Sequence, residues 1–121
     1  MTKIQNTKQY DLEDRTLRFA ANVRQFIKQL PKNIANFEDA KQVVRSSGSI
    51  GANYIEANEA LSKKDFCMRI KISRKEAKES KYWLSLLDVA GNKELDLMRK
   101  ELFGEANELM MIFSAIMRKS Q

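Results

Sequence analysis

Apolar residues recur at alternating three- and four-residue spacing through four separate stretches, and a chain with that period has few options beyond packed helices. The first stretch, about residues 11–30, carries Leu12, Thr16, Phe19, Val23, Phe26, Ile27 and Leu30. Asp11, Glu13 and Asp14 suit its N-terminal end, and Pro31 stops it. The second, about 37–61, carries Ala40, Val43, Val44, Ser47, Ile50, Gly51, Tyr54 and Leu61. The third, about 64–90, places Phe66, Ile70, Ser73, Ala77, Ser80, Leu84 and Leu87 in a heptad rhythm, and Gly91-Asn92 reads as its C-terminal cap. The fourth, about 93–119, aligns Leu95, Met98, Leu102, Leu109, Ile112 and Ile116. No stretch alternates with period two. One Pro and four Gly in 121 residues leave these helices uninterrupted. The expectation is an all-α, antiparallel, up-down-up-down four-helix bundle of one domain, residues 1–121, with residues 1–9 a flexible N-terminus.

One segment strains that pattern. Residues 45–60 read RSSGSIGANYIEANEA, with three serines and two glycines close together. At about 100° per residue, Ser47 and Gly51 fall on the face of Val43, Ile50 and Tyr54. Small residues there let another helix backbone come close, against a helix-propensity cost of about 1 kcal/mol for each Gly. The rival reading, a nucleic-acid-clamping GxxG loop, needs a neighbouring sheet that this sequence does not offer. The stretch also lacks the G-K-[ST] of a phosphate-binding loop. A packed helix, able to bend at its glycines, is the better reading.

Helices three and four carry more apolar surface than one core stripe needs. Met68, Ile72, Trp83 and Leu86 lie off the core line of the third, and Phe103, Ala106, Met110, Phe113 and Met117 beside that of the fourth. Large exposed apolar patches are rare on monomers, so the surplus predicts subunit contact and a homo-oligomer.

Chemistry is narrowly bounded. The chain has no histidine, which removes the Glu-x-x-His di-metal site common in four-helix bundles and any histidine general base. Glu56 with Glu59, and Glu76 with Glu79, sit three apart on helices, and ion pairing with Arg45, Arg69 or Arg74 is their expected role. No catalytic residue, metal or cofactor is expected, so the protein reads as non-enzymatic. Cys67 is the only cysteine, with Phe66 and Met68 beside it, which suits a packing site in a reducing cytoplasm. The first ten residues have no apolar core of a signal peptide. The longest apolar run, Leu109 to Met117, is far short of the roughly 20 residues of a membrane span.

The net charge of +6 is concentrated: residues 62–82 hold eight Lys or Arg against three acids. Lys64, Lys71, Lys75 and Lys78 fall within about 60° of arc opposite the core line, and Arg74 and Lys81 extend the patch. The row covers roughly 25 Å of helix, enough to track several phosphates. A ring of subunits would repeat it and multiply weak contacts. Structured RNA or another polyanion is the expected partner, held by backbone charge and shape, since no base-reading module is present. The alternative is a protein-interaction scaffold that docks its basic face on an acidic protein and never touches nucleic acid.

"SSGSIGANYIEANEALSKKDF" followed by "KEAKESKYWLSLL" strongly resembles the four-helix bundle family of 23S rRNA intervening-sequence proteins. The resemblance runs from "YDLEDRTLRFA" through "LPKNIANFEDAKQVVRSSGSIGAN" to helix three and is weakest over helix four. Matching motif residues include Arg45, Ser49, Ile50, Asn53, Glu56, Ala57, Ser62, Phe66, Glu76, Ala77, Glu79, Tyr82 and Trp83. Many members have a proline after the Ser-Ile pair and a glycine after the Glu-Ala pair, where this chain has Gly51 and Asn58. The resemblance implies a left-handed antiparallel bundle assembled into a ring, typically a pentamer. It also implies a small bacterial protein, with relatives that serve diversity-generating retroelements through a basic pentamer engaging RNA and reverse transcriptase. The motif positions Arg45, Ser47, Gly51, Asn53, Glu56, Glu76 and Glu79 are expected to fix helix register or subunit contacts, not to catalyse.

Overall fold

The computed structural model describes residues 8–121, with side chains described from Leu12 onward. Its elements are α1 (Lys8–Lys28), α2 (Ile34–Asn58), α3 (Lys63–Leu86) and α4 (Lys93–Ser120), and the described residues contain no strand. The flexible segment expected over residues 1–9 falls mostly outside the described residues, although Lys8 and Gln9 already belong to α1.

Helices α2, α3 and α4 each start on a side-chain cap. Asn33, Ser62 and Asn92 accept hydrogen bonds from the amides of Asn36, Asp65 and Leu95 at 2.9–3.0 Å, each satisfying an otherwise orphaned donor. The Asn33 cap explains why α2 begins before Phe37, the start that periodicity suggested. In the first turn of α4, hydrogen bonds from Arg99 and Lys100 hold the Asp96 carboxyl below its ordinary range.

The expected end of the third helix at Gly91-Asn92 needs correction. α3 stops at Leu86, and Asn92 instead opens α4. The reason is tertiary. The buried Asn36 side chain accepts from the Asp88 amide at 2.8 Å and donates to the Asp88 carbonyl at 2.9 Å and the Pro31 carbonyl at 3.0 Å. Arg99 donates to the Leu87 carbonyl. Backbone groups that would extend α3 are thereby spent elsewhere, and Ala90 (φ 54°) and Gly91 (φ 72°) turn the chain in the left-handed region.

Cross-helix pairs fix how the elements lie. From α2 to α3 they run Ser46–Ser80, Ile50–Ser73 and Asn53–Arg69, in opposite order of residue number, and Asn36–Asp88 continues the order just beyond α3. The same descending order joins α1 to α2 through Glu13–Asn58 and Arg24–Val44, and α3 to α4 through Cys67–Ser120 and Lys81–Asn107. Among the described residues α2 and α3 share the most extensive contact and, of the helix pairs that touch, α1 and α4 the least. The core takes Phe19, Val23 and Phe26 from α1, Val43, Ile50 and Tyr54 from α2, Ile70, Ala77 and Leu84 from α3, and Leu102, Leu109 and Phe113 from α4.

The RSSGSIG segment is continuous helix within α2. Ser46 and Ser47 are fully buried and satisfied: Ser46 Oγ lies 2.8 Å from Ser80 Oγ, and Ser47 Oγ donates to the Val44 carbonyl. A methyl group added at Gly51 would meet Thr16 Oγ1 at 2.8 Å, so the glycine lets α1 close on α2.

The surplus apolar faces are partly absorbed by the core. Phe113, expected at a subunit interface, is fully buried with its ring edge-on to that of Tyr54, centroids 5.6 Å apart, and has no surface to offer a second copy. Ala106 is also fully buried, and Met110, Met117 and Trp83 are half-buried against the core. Phe113 follows Leu95 by five full helical turns and Ala106 lies about 20° from the same direction, so both belong to the core line itself.

Candidate nucleic-acid interface

α3 sits between α2 and α4, so its outward arc is set by what its flanks must touch. Arg69, Ser73, Glu76 and Ser80 turn toward α2, whereas Cys67 and Lys81 turn toward α4. Lys64, Lys71, Lys75 and Lys78 are left exposed between them. Arg74 is half-buried at the edge. Lys81 is not part of the open row: it donates to Asn107 Oδ1 at 2.9 Å and lies 5.6 Å from the centre of the Phe103 ring.

The acids of the same helix are drawn away from the lysines. Arg45 of α2 reaches Glu76 Oε1 at 3.3 Å and Glu79 Oε1 at 3.4 Å. Asp65 occupies the first turn of α3, where the helix dipole favours a negative charge. Among the described residues, none of the four exposed lysines forms an ion pair. One face of α3 is therefore a row of uncompensated cations, and the adjacent face a bridged carboxylate pair. Helix register turns Glu76 away from the row, and Arg45 holds Glu79 beside it.

The motif positions separate by role. Ser47 and Gly51 serve helix packing. Asn53 accepts from Arg69 at 3.1 Å and donates to the Ser49 carbonyl at 2.9 Å, tying α2 to α3. Arg45, Glu76 and Glu79 make the second tie. Glu56 is exposed, and its side chain has no hydrogen bond or ion pair among the described residues. Of the expected interface residues, Met68 and Leu86 are about half exposed and Phe103 somewhat less, while Ile72 is half-buried.

Two concavities away from the lysine row hold no comparable chemistry. An open groove of about 540 Å³ between α1 and α4 is crossed by the Arg15–Glu105 pair at 2.7 Å. A second of similar size, at the α1–α2 corner, is lined by Ile27, Leu30, Pro31, Ile34 and Phe37. Among the described residues no group of His, Cys, Asp and Glu could hold a metal ion, and no helix is long and apolar enough to cross a membrane. Sequence reasoning passed over Asn36, and it named Tyr82 only as a motif match without placing it on the lysine row. Asn36 carries no local signal, because its partner is 52 positions away. The place of Tyr82 could have been found, since it follows Lys78 by one helical turn and continues the lysine row.

No curated protein matches the chain. Among solved structures, a crystal structure of a protein with unknown function from the S23 ribosomal protein family of Bacteroides thetaiotaomicron VPI-5482 is similar. The two share 32% sequence identity over 93% of this chain and 99% of that one, with a TM-score of 0.79. The model of the 23S rRNA-intervening sequence protein family matches residues 8–115, through all of α1 to α3 and most of α4. With that extent of match, the chain belongs to the 23S rRNA-intervening sequence protein family.

Proposed function

We propose that this protein is a non-enzymatic, cytoplasmic, antiparallel four-helix bundle that assembles with copies of itself and binds structured RNA through the lysine face of α3. The observation that carries the reading is the row Lys64, Lys71, Lys75 and Lys78, exposed and without ion-pair partners among the described residues. The descending cross-helix pairs support the antiparallel bundle. Assembly is supported by strongly exposed Ile34 and Phe37 at one end of the bundle, with Leu86 and Leu97 on the adjoining helix ends. The resemblance to a ring-forming family favours a ring, and a pentamer within that class. Repetition around the ring would convert a weak phosphate contact into an avid one.

The test is fluorescence anisotropy with a structured RNA across a salt series, comparing wild type with a Lys71/Lys75/Lys78→Ala triple variant whose mass is checked by light scattering. Wild type should bind with a steep salt dependence. The variant should keep its assembly, bind more weakly, and lose about two to three units of the log–log salt slope. Absence of wild-type binding even at low salt would refute the reading and leave the basic face to an acidic protein partner.

A further inference from the structure

Tyr82 has no role in the core or in the ties between helices. At about 100° per residue it falls within the same 60° arc as Lys64, Lys71, Lys75 and Lys78, one turn beyond Lys78. It therefore lengthens the cationic row to about 27 Å without widening it. The residue is 61% exposed. Its ring is held by a T-shaped contact with Trp83, centroids 5.1 Å apart and planes at 79°. Among the described residues its hydroxyl has no hydrogen-bond partner.

The other exposed aromatic side chains among the described residues are differently placed. Phe37 has the Lys41 ammonium over its ring at 4.8 Å, and Phe103 has that of Lys81 at 5.6 Å. Both rings already serve a cation. Tyr82 alone among the three has no cation over its ring and shares an arc with a row of unpaired lysines. A row of cations ending in an open aromatic ring suits a strand with an unstacked base. Phosphates of such a strand would lie along the lysines and its base on the ring. A continuous duplex has no free base face to present.

We infer that Tyr82 is a stacking platform for an unpaired base, so that the α3 face takes looped or single-stranded RNA in preference to continuous duplex. The inference rests on the RNA-binding reading above and narrows its ligand class. Base–aromatic stacking of this kind is sequence-tolerant, so the site should discriminate strandedness and not sequence.

The experiment uses two RNA probes of equal length, a hairpin with an unpaired loop and a blunt duplex, against the full chain. Binding is read by anisotropy and by fluorescence of Trp83, the only tryptophan. Wild type should bind the hairpin more tightly, with quenching of Trp83 emission. Tyr82→Ala should weaken hairpin binding about 5- to 150-fold and leave duplex binding and particle mass unchanged. Tyr82→Phe should behave as wild type. Equal hairpin affinity for Tyr82→Ala and wild type overturns the stacking role while leaving the lysine reading intact. Equal losses for both probes overturn it too, as does a changed particle mass, which would assign Tyr82 to subunit contact. Failure of wild type to bind either probe overturns both readings.

Discussion

Gly51 and Gly104 are both helical glycines, yet they should respond oppositely to the same substitution. A Cβ at Gly51 would sit 2.8 Å from Thr16 Oγ1 and 3.1 Å from Thr16 Cβ, and rotating the hydroxyl relieves only the first contact. Relief therefore requires α1 to move. Gly51→Ala should cost about 1–2 kcal/mol, because overpacking outweighs the propensity gain, and thermal melting should show a midpoint lower by several degrees. At Gly104 nothing lies within 4 Å of the added methyl, so Gly104→Ala should stabilise by about 0.5–1 kcal/mol. A second residue carries a pH signature. Burial, opposed by hydrogen bonding with Asn58 and aided by the Glu13 charge, raises the Tyr54 phenol above its ordinary 10.0. Its contribution is intact below pH 10.0 and declines above it, as the unfolded chain ionises while the folded chain resists. Tyr54→Phe should consequently lose stability less steeply than wild type in denaturant titrations above that pH. The close approach at Gly51 was legible, because small residues recurring on the inward face of a helix leave room that only a neighbouring backbone can fill. The partner, Thr16 of α1, was not, since periodicity says which residues face inward and not which of them meet.

Element boundaries show the same division between local and distant causes. Starts of helices are written nearby: Asn33, Ser62 and Asn92 each lie three residues before the amide they cap. The end of α3 depends on Asn36, and no window along the chain contains both groups. Asn36→Ala would leave the amide of Asp88 and two carbonyls without their partners. The expected cost is about 2–3 kcal/mol, measurable by urea unfolding. Phe113 was misplaced for a local reason, since it follows Leu95 by five full turns and so lies on the core line. Its ring meets Tyr54 across the bundle. Charge on α3 is governed from outside as well. Removing Arg45 should release Glu76 and Glu79, so Arg45→Met should weaken any polyanion binding even though Arg45 is absent from the lysine row.

At the scale of the molecule, several exposed apolar residues come together at one end. Ile34 and Phe37 open α2, Leu97 lies in the second turn of α4, and Leu86 closes α3, all at the end where α1 turns into α2. A Phe37→Glu substitution should reduce particle mass toward the 14.0 kDa of one chain in light scattering if this end joins subunits. An unchanged mass would direct the search to the Met68 flank of α3.

The unequal contacts between helices have a kinetic consequence. Among the described residues α1 meets α4 along a thinner boundary than any other pair of touching helices, tied by the bidentate Arg15–Glu105 pair, which is about a third exposed. The α2–α3 boundary, by contrast, is sealed by buried serines hydrogen-bonded to groups on the facing helix. Native-state hydrogen exchange should therefore not report one uniform stability. Amides of α1 should exchange through a partial opening of lower free energy, in which the first helix lifts away, while those of Ile50, Ser73 and Ala77 wait for global unfolding.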